Sequence, residues 1–426
     1  MSSALGSSLP NRWGASRLKH MTCLLNRGSA PNYVDDGPVR AISQSANQSD
    51  GLDWSRTRFH NYDGDATKLK GYLQQEDVLI NSTGTGTLGR VGFFTGAPDN
   101  IPCMADSHVT IARTKSDELH PRFAYYWLGS QPFQEYVYAA LAVGATNQIE
   151  LNRESLGNAP VPVPPLEEQR RIAHFLDAET ARIDRVITKR RRMRNLLRLK
   201  RNRIIDTELG FDNRASVHGL TPLKYLAEEI TVGIVITPAK WYVENSGVPA
   251  LRGLNVQPGK ITIADLVCIS EEGHAENWKS RLRAGDVVVV RTGQAGAAAV
   301  VPASLDGANC IDLILVRPGD AVSPKYLEYV LNSDYASERV SEHSVGSIQA
   351  HFNVGAMKQL PVPALSRSQQ DAIVESLDRR LGSIDQLLGK FKAQEALLAE
   401  RRQSVITAAV SGQIDVSTAS GRGVEE

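Results

Sequence analysis

The stretch PVPVPPLEEQRRIAHFLD, from Pro160 to Asp177, decides the fold of this 426-residue chain. A similar stretch, PVPALSRSQQDAIVESLD, returns 201 residues later, from Pro361 to Asp378. Because proline cannot extend a helix backwards, each stretch predicts a helix that begins just after its prolines. The segment HPRFAYYWLGS from His120 likewise resembles SPKYLEYVLNS from Ser323. Such a repeat predicts two globular parts, each followed by prolines and a long helix.

Apolar residues recur along both helices at alternating steps of four and three. Seven of the ten such positions from 172 to 204 are apolar, and so are seven of the ten from 373 to 405. A period of 3.5 residues over more than four heptads is typical of a coiled coil. The predicted seam residues are Ile172, Leu176, Ile183, Val186, Leu197, Ile204, Ile373, Leu377, Ile384, Leu387, Leu398 and Val405.

Two matched seams in one chain favour pairing of the helices with each other. About 40 residues would make each helix roughly 60 Å long, which is too long to be covered by its own globular part. The alternative, in which each helix packs only on its own domain, is less favoured for that reason. An antiparallel pair would relate the two halves by a pseudo-two-fold axis, as in a dimeric DNA-binding protein fused into one chain.

The composition is that of a globular protein, with 42% hydrophobic and 22% charged residues and a net charge of +1. No run approaches 18 apolar residues, which argues against a membrane span. The first residues, MSSALGSSLPNRWG, lack the basic and then apolar pattern of a secretory signal. Four cysteines lie far apart without a CxxC pair, so we expect reduced, structural thiols in the cytosol.

Motifs for catalysis are missing or incomplete. GTGTLG, from Gly84 to Gly89, fits a dinucleotide pattern, but the following RVGFFTG reads as a strand and not as the required helix. These glycines therefore predict a hairpin turn. There is no phosphate loop, no HExxH and no [DNS]PP[YF] loop, and DSH at 106–108 is best explained as a hydrogen-bonded loop. The sequence predicts a chain without catalytic, cofactor or metal sites.

Basic residues are the remaining functional signal. The segment from Lys189 to Arg203 holds nine Lys or Arg in fifteen positions. This density favours contact with phosphates or with an acidic protein. The equally weighted alternative is a solvated helix face that Glu395 and Glu400 of the other helix neutralise.

Arginines next to small residues in predicted loops suit a close approach to bases or phosphates. Five arginines in the globular parts have this setting: Arg90, Arg252, Arg281, Arg283 and Arg291. The candidate DNA-binding residues are Thr83, Thr85, Arg90, Arg252, Asn255, Arg291, Thr292 and Gln294.

The stretch that begins at Pro160 resembles the signature of type I restriction-modification specificity subunits. In that family, PLPPLxEQxxIxxxLD leads into each of two conserved long helices. The resemblance extends to DVLI..TGT.GRVG, to HPRFAYYWL and to VITAAVSGQID at Val405–Asp415, and so covers nearly the whole chain. The second copy, ALSRSQQDAI, departs from the pattern because it lacks the PPLxEQ core.

The resemblance implies an α+β fold. Two mixed α/β target-recognition domains are separated by two long antiparallel coiled-coil helices, in a pseudo-two-fold internal repeat. The expected divisions are a first recognition domain, a first helix, a second recognition domain, a second helix and a flexible tail, at 1–159, 160–212, 213–360, 361–415 and 416–426.

The function implied by the resemblance is DNA recognition without catalysis. Each recognition domain would read one half of an asymmetric, bipartite site in double-stranded DNA, in the cytoplasm of a bacterium or archaeon. The helices would bind two methyltransferase subunits, to which restriction subunits can add, and S-adenosylmethionine, ATP and Mg would be bound by those partners. The residues leave two alternatives, a coiled-coil scaffold or adaptor without a nucleic acid partner, and an enzyme with an unrecognised site.

Overall fold

The structure is a computed structural model that describes residues 9–48, 51–84, 86–143, 150–212, 219–244, 246–342 and 353–416. The chain forms two compact units, one of Met1–Lys189 with Gln394–Glu426 and one of Arg190–Ala393. We call the described residues of 9–163 the first head and those of 219–363 the second head. No helix in these described segments combines the length and the apolar character that a membrane span requires.

Two four-stranded sheets form the first head. The antiparallel sheet has the strand order Thr22–Arg27, Val109–Thr114, Val78–Asn81 and Val91–Phe93. The mixed sheet has the order Cys103–Ala105, Val39–Ile42, Arg58–His60 and Tyr33–Val34, and its first two strands are parallel. The antiparallel pairing of the strands on either side of the GTGTLG glycines confirms the predicted hairpin.

The second head repeats this arrangement. Its antiparallel sheet has the order Ala227–Val232, Leu313–Pro318, Val287–Val290 and Ala298–Val300. Its mixed sheet has the order Tyr242–Val243, Val267–Ile269, Val248–Leu251 and Asn309–Cys310, and its last two strands are parallel. The internal repeat predicted from the sequence therefore includes the sheet topology.

Each antiparallel sheet is covered on both faces, which explains the unbroken apolar runs VLI and VVVV. In the first head, Val78 and Ile80 belong to one core cluster and Leu79 belongs to another. In the second head, Val287 and Val289 belong to one cluster, whereas Val288 and Val290 belong to the other. Successive strand residues point to opposite faces, so a strand buried on both sides needs apolar residues at every position.

Short helices complete both heads. They span Leu18–Met21, Pro121–Leu128, Gln131–Tyr136 and Arg153–Gly157 in the first head, and Glu271–Glu276, Pro324–Leu331, Asp334–Glu342 and Val354–Gln359 in the second. The proline stretches are strands, Pro160–Val163 paired with Gly14–Arg17 and Pro361–Pro363 paired with Leu220–Pro222. The first long helix spans Leu166–Glu208 and the second spans Arg367–Val410, so both begin just after their prolines, as predicted.

A buried glutamine fastens the start of the first long helix to the first head. The Gln169 side-chain amide donates to the carbonyl oxygens of Glu118 (3.1 Å) and Pro164 (2.9 Å), and its oxygen accepts from the His120 backbone N–H (2.7 Å). Gln169 is fully buried, so these bonds satisfy its amide in a place that water does not reach.

Gln370 does the same in the second head. Its amide donates to the carbonyl oxygens of Ala321 (2.8 Å) and Leu365 (2.9 Å), and its oxygen accepts from the Ser323 backbone N–H (2.7 Å). Although the second copy lacks PPLxEQ, it keeps the one residue of that motif that makes these three bonds.

The far end of each long helix completes the core of the other head. In the first unit, Ile406, Ala409 and Val410 join the core cluster of the first head. In the second unit, Ile205 and Leu209 join the core cluster of the second head. Each helix therefore begins on one head and ends in the core of the other.

Two residues near each far end also bond to a head helix. Gln403 donates to the Gly129 carbonyl (3.1 Å), and the Thr407 hydroxyl accepts from the Gln131 backbone N–H (3.4 Å). In the second unit, Asn202 donates to the Asp334 carboxylate (2.6 Å), and Asp206 accepts from the Asp334 backbone N–H (3.2 Å). These pairs keep the 201-residue offset of the repeat.

The long helices run antiparallel in the second unit. Arg201 pairs with Asp385 (2.7 Å) and Glu208 pairs with Arg380, so numbers rise along one helix as they fall along the other. In the first unit, Arg402 pairs with Asp184 (3.0 Å). The predicted fold class, an α+β chain with two long antiparallel helices and an internal repeat, is confirmed.

The burial of the predicted seam varies along the helices. Ile172, Leu176, Ile183, Leu377 and Ile384 are buried. Five other seam residues are partly exposed: Leu197, Ile204, Ile373, Leu398 and Val405.

The seam prediction is wrong at Val186 and Leu387, which are 37% and 42% exposed, whereas Ile187 is buried. A straight helix drifts by about 20° per heptad from a strict 3.5-residue period, so a seam projected from one end loses register toward the middle. The division into five segments stays a prediction, because the compact units take part of each helix.

Candidate nucleic-acid interface

In the first head, several loops follow neighbouring strand ends and lie next to one another. The backbone N–H groups of Gly28, Ser29 and Asp106 donate to the carbonyl oxygens of Val109 (3.0 Å), Ala105 (3.3 Å) and Ile42 (3.0 Å). These bonds hold the strand ends together, and polar loop residues follow them. We call the described residues of 28–32, 43–48, 82–90 and 106–108 the first loop edge.

Thr83 lies at the centre of the first loop edge. Its hydroxyl donates to the Gln44 side-chain oxygen (2.9 Å) and lies 2.8 Å from His108 Nδ1. Asn81 donates to the Gln44 carbonyl (3.1 Å), which ties the same two loops together. The sequence prediction named Thr83 but missed Gln44 and assigned His108 only to a hydrogen-bonded loop.

Arg90 binds the chain itself. Its guanidinium donates to the Asn47 carbonyl (3.2 Å), the Gln48 side chain (3.0 Å) and the Gly86 carbonyl (3.4 Å). These bonds brace two loops of the edge, so Arg90 shapes the surface that it was predicted to use for DNA contact. Thr85, the other candidate in this loop, lies outside the described residues.

Asp106 stabilises the loop that carries His108. Its carboxylate accepts from the His108 backbone N–H (2.8 Å) and from the Tyr33 hydroxyl (3.4 Å). Burial raises the pKa of Asp106 above its usual value, although the His108 N–H opposes this shift. The DSH triplet is therefore a hydrogen-bonded loop, as the sequence predicted.

The second head has an equivalent edge with the same backbone bonds. The N–H groups of Gly233, Ile234 and Ile311 donate to the carbonyl oxygens of Leu313 (2.8 Å), Cys310 (2.9 Å) and Leu251 (2.8 Å). We call residues 233–237, 252–255, 291–296 and 311–312 the second loop edge. The shared bonding pattern makes Ser29 equivalent to Ile234 and Asp106 equivalent to Ile311.

Charged residues dominate the centre of the second loop edge. Arg291 pairs with Asp312 (2.8 Å), and the Thr292 hydroxyl lies 3.5 Å from the same carboxylate. The Arg252 guanidinium donates to the Asp265 carbonyl (3.1 Å), and Gln294 is exposed. The structure therefore brings together four residues that the sequence named as candidates.

Asn255 is a structural residue of this edge. Its oxygen accepts from the Arg252 backbone N–H (3.0 Å), and its amide donates to the Ala264 carbonyl (3.3 Å). The side chain is buried, so it has no exposed amide with which to contact DNA. Arg281, also noted in the sequence, binds the His274 carbonyl (3.1 Å).

Large aliphatic side chains are exposed at the second loop edge, and none is exposed among the described residues of the first. Val235, Ile236 and Leu254 are 47%, 83% and 63% exposed. Counting from the shared backbone bonds, the equivalent residues of the first head are Ala30, Pro31 and Ser45. None of these three is a large exposed aliphatic residue, and no sequence signal separated them from their counterparts in advance.

The basic segment of the first long helix is partly paired within the second unit. Arg201 pairs with Asp385, and the Arg190 guanidinium lies over the Phe391 ring at 5.1 Å. Arg198 and Lys200 are exposed. Three apolar residues of the same segment are also exposed: Met193 (49%), Leu196 (53%) and Leu199 (64%).

Comparison with known proteins shows which family this chain resembles. A family model described as "Type I restriction modification DNA specificity domain" matches residues 29–191. The StySPI specificity subunit of Salmonella potsdam is 27% identical over 182 residues, which are 41% of this chain and 38% of that protein. The chain is therefore similar to type I restriction-modification specificity subunits, and residues 29–191 match the DNA specificity domain of that family.

Longer but weaker matches cover most of the chain. The EcoBI specificity subunit of Escherichia coli is 21% identical over 421 residues, which are 89% of this chain and 87% of that protein. The StySPI match and one to the EcoKI specificity subunit of Escherichia coli each span only 38% of the relative's length.

One solved structure shares the fold over nearly the whole chain. It comes from work on complex assembly and conformational transition of the type I R-M system. The TM-score is 0.61 at 18% identity, over 96% of this chain and 100% of that one. At this identity the likeness shows a shared fold alone.

Proposed function

We propose that the chain is the non-catalytic DNA-reading subunit of a type I restriction-modification complex. Each head reads one half of an asymmetric, bipartite target through its loop edge. The methyltransferase and restriction subunits then carry the chemistry and bind S-adenosylmethionine, ATP and Mg, in the cytoplasm of a bacterium or archaeon.

One observation carries this proposal: the two loop edges share a backbone frame but carry different side chains. Thr83 and Thr292 hold equivalent places, yet the first lies beside His108 and the second beside Asp312. Base edges in DNA differ in their pattern of donors, acceptors and methyl groups, so different side chains on one frame select different bases. Two unlike edges support a target with two unlike halves.

The exposed apolar residues of the first long helix support binding of a methyltransferase subunit. Met193, Leu196 and Leu199 are surrounded by basic residues. Apolar side chains with a charged rim are typical of protein interfaces. We expect Leu196→Asp with Leu199→Asp to abolish co-purification of the methyltransferase, whereas Lys200→Asp alone leaves it bound.

Exchange of one head tests the proposal directly. Replacing residues 215–360 with the second recognition domain of another family member should change one half of the methylated sequence and leave the other half intact. The readout is sequencing of modified bases in cells that also carry the methyltransferase partner. A change in both halves would refute the assignment of one head to one half, and no sequence-specific modification would favour a scaffold.

The spacing of the two halves gives a second test. Four helix-forming residues inserted after Leu197 add about one turn, or roughly 6 Å. Because DNA advances about 3.4 Å per base pair, the halves should move apart by about one to two base pairs with their bases unchanged. Insertion of two residues rotates the apolar face by about 200° and should abolish modification. An unchanged spacer in the four-residue variant would show that the helices do not set the spacing.

A further inference from the structure

The second loop edge places aliphatic side chains where the first places small or cyclic ones. Ile236 and Leu254 are the most exposed of them, at 83% and 63%. Scattered exposed apolar residues need no explanation, but these stand on adjacent loops of the edge that already carries Arg291 and Thr292. The adjacency follows from the backbone, because Ile311 bonds to Leu251 and Asp312 bonds to Ile234.

The turn geometry holds Ile236 outward. Thr237, the next residue, has a left-handed backbone with φ of 43°, and Pro238 follows it. Asp312, on the neighbouring segment, is also left-handed with φ of 51°. Left-handed conformations are costly for residues other than glycine and persist where the surroundings impose them.

We propose that Ile236 and Leu254 read thymine methyl groups in the major groove of the half-site bound by the second head. This inference rests on the proposed function. The thymine methyl is the apolar group that the major groove presents, and an aliphatic side chain is its complement. Polar neighbours at the same edge, Gln294 and Arg252, supply hydrogen bonds to adjacent base edges or phosphates. The first head, with Gln44 and His108 at its edge, reads its half-site by hydrogen bonds.

The proposal predicts an unequal response of the two half-sites to loss of a methyl group. Replacing thymine by deoxyuridine removes the methyl and keeps the pairing and the other groove atoms. In the half-site of the second head, each contacted thymine should contribute about fourfold to affinity, which corresponds to the burial of one methyl-sized group. The same replacement in the half-site of the first head should change affinity by less than about twofold.

The experiment uses the chain assembled with its methyltransferase subunits and duplexes that carry the mapped target. Affinity is measured for thymine and deoxyuridine versions of each half-site, and the head exchange assigns the halves. Ile236→Ser with Leu254→Ser should reduce the thymine preference to about one, because the groups that contact the methyl are gone. Tyr225→Ser is the matched control. Tyr225 is 70% exposed, and it lies before the strand Ala227–Val232, whereas Ile236 lies after it. Loss of the Tyr225 ring should therefore leave the thymine preference intact.

Three outcomes of this experiment would overturn the proposal. A second half-site without thymine refutes it, and so does equal affinity for thymine and deoxyuridine duplexes. Loss of methyltransferase subunits from the serine variant, with the thymine preference retained in what assembles, assigns these residues to a protein partner instead. Failure of the wild-type complex to prefer any sequence is a different result, because it refutes the proposed function itself.

Discussion

The two heads are alike where they meet the long helices and unlike at their loop edges. Gln169 and Gln370 each make three bonds to equivalent backbone groups with nearly equal lengths. The loop edges, by contrast, carry different side chains, with Gln44 and His108 in the first head and Arg291 and Asp312 in the second. Buried polar bonds tolerate little change because an unpaired buried group is costly, whereas exposed loops are free to vary.

This difference separates two roles within one domain. The helix side fixes how a head is held, and the loop side determines which bases it reads in the proposed function. Three substitution experiments test how far the two heads are equivalent on their helix sides.

The largest effect is expected at the buried glutamines. Gln169→Leu and Gln370→Leu should each lower the free energy of unfolding by about 3 kcal/mol, because three buried backbone groups lose their partners at about 1 kcal/mol each. Chemical denaturation measures the loss, and hydrogen exchange locates it, at the His120 amide in one variant and at the Ser323 amide in the other.

Arg171→Leu is the control for this pair, since Arg171 is exposed two positions after Gln169 on the same helix. It should change the free energy of unfolding by less than about 0.5 kcal/mol. A large loss in only one of the two glutamine variants would show that the two helix starts are not equivalent.

A smaller effect is expected at Asp206, which holds the place of Thr407 in the repeat. Burial, and then the charge of Asp334, raise the pKa of Asp206 to about 6. The ionised carboxylate is therefore disfavoured in the folded chain. Asp206→Thr should raise stability at pH 7.5 by on the order of 1 kcal/mol, because threonine keeps an acceptor for the Asp334 backbone N–H without the charge.

The pH dependence follows from the sign of this shift. Below the usual aspartate pKa of about 4, Asp206 is neutral in both the folded and the unfolded chain, so the variant has no electrostatic gain. The gain appears as pH rises from about 4 to 6 and is complete above that range. Asp212 also raises the pKa of Asp206, but less than Asp334 does, so Asp212→Asn should stabilise the chain less than Asp206→Thr. Denaturant midpoints from pH 4 to pH 8 test this, and a gain that does not depend on pH would contradict it.

The smallest effect is expected at the paired tyrosines. Tyr329 donates to Asp378, and Tyr126 donates to Asp177 (2.6 Å). Tyr329→Phe should cost about 1 kcal/mol, the usual value for one hydrogen bond. Tyr126→Phe should cost less, because Asp177 keeps its bond from Arg122 (2.6 Å). Equal losses in thermal or denaturant unfolding would show that Arg122 does not compensate.

The sequence predicted the helix starts, the repeat and the hairpin at Gly84–Gly89 because each depends on local chemistry. Proline sets where a helix begins, and glycine permits a tight turn. The seam was mispredicted at Val186 because side-chain burial there depends on the relative rotation of two helices, which no local pattern fixes.

The loop residues were harder to predict for a related reason. Arg90 and Asn255 have the chemistry of DNA-contacting residues, but tertiary contacts bind them to the chain itself. Ile236 and Leu254 are apolar, and the sequence alone gives no reason to expect them at the surface. Which side chains remain exposed depends on how the loops close against each other, and that is decided by contacts distant in sequence.

The exchange of helix ends between the heads bears on the origin of the chain. A protein of half this length, ending near Asp212, would lack what Ile406 and Val410 give the first core, while its own Ile205 and Leu209 would have no head to enter. Two identical copies would satisfy each other as a homodimer, whose matching heads suit a palindrome. Duplication and fusion of such a gene would free each copy to diverge, and a symmetric ancestor would thereby become the reader of an asymmetric target that we propose here.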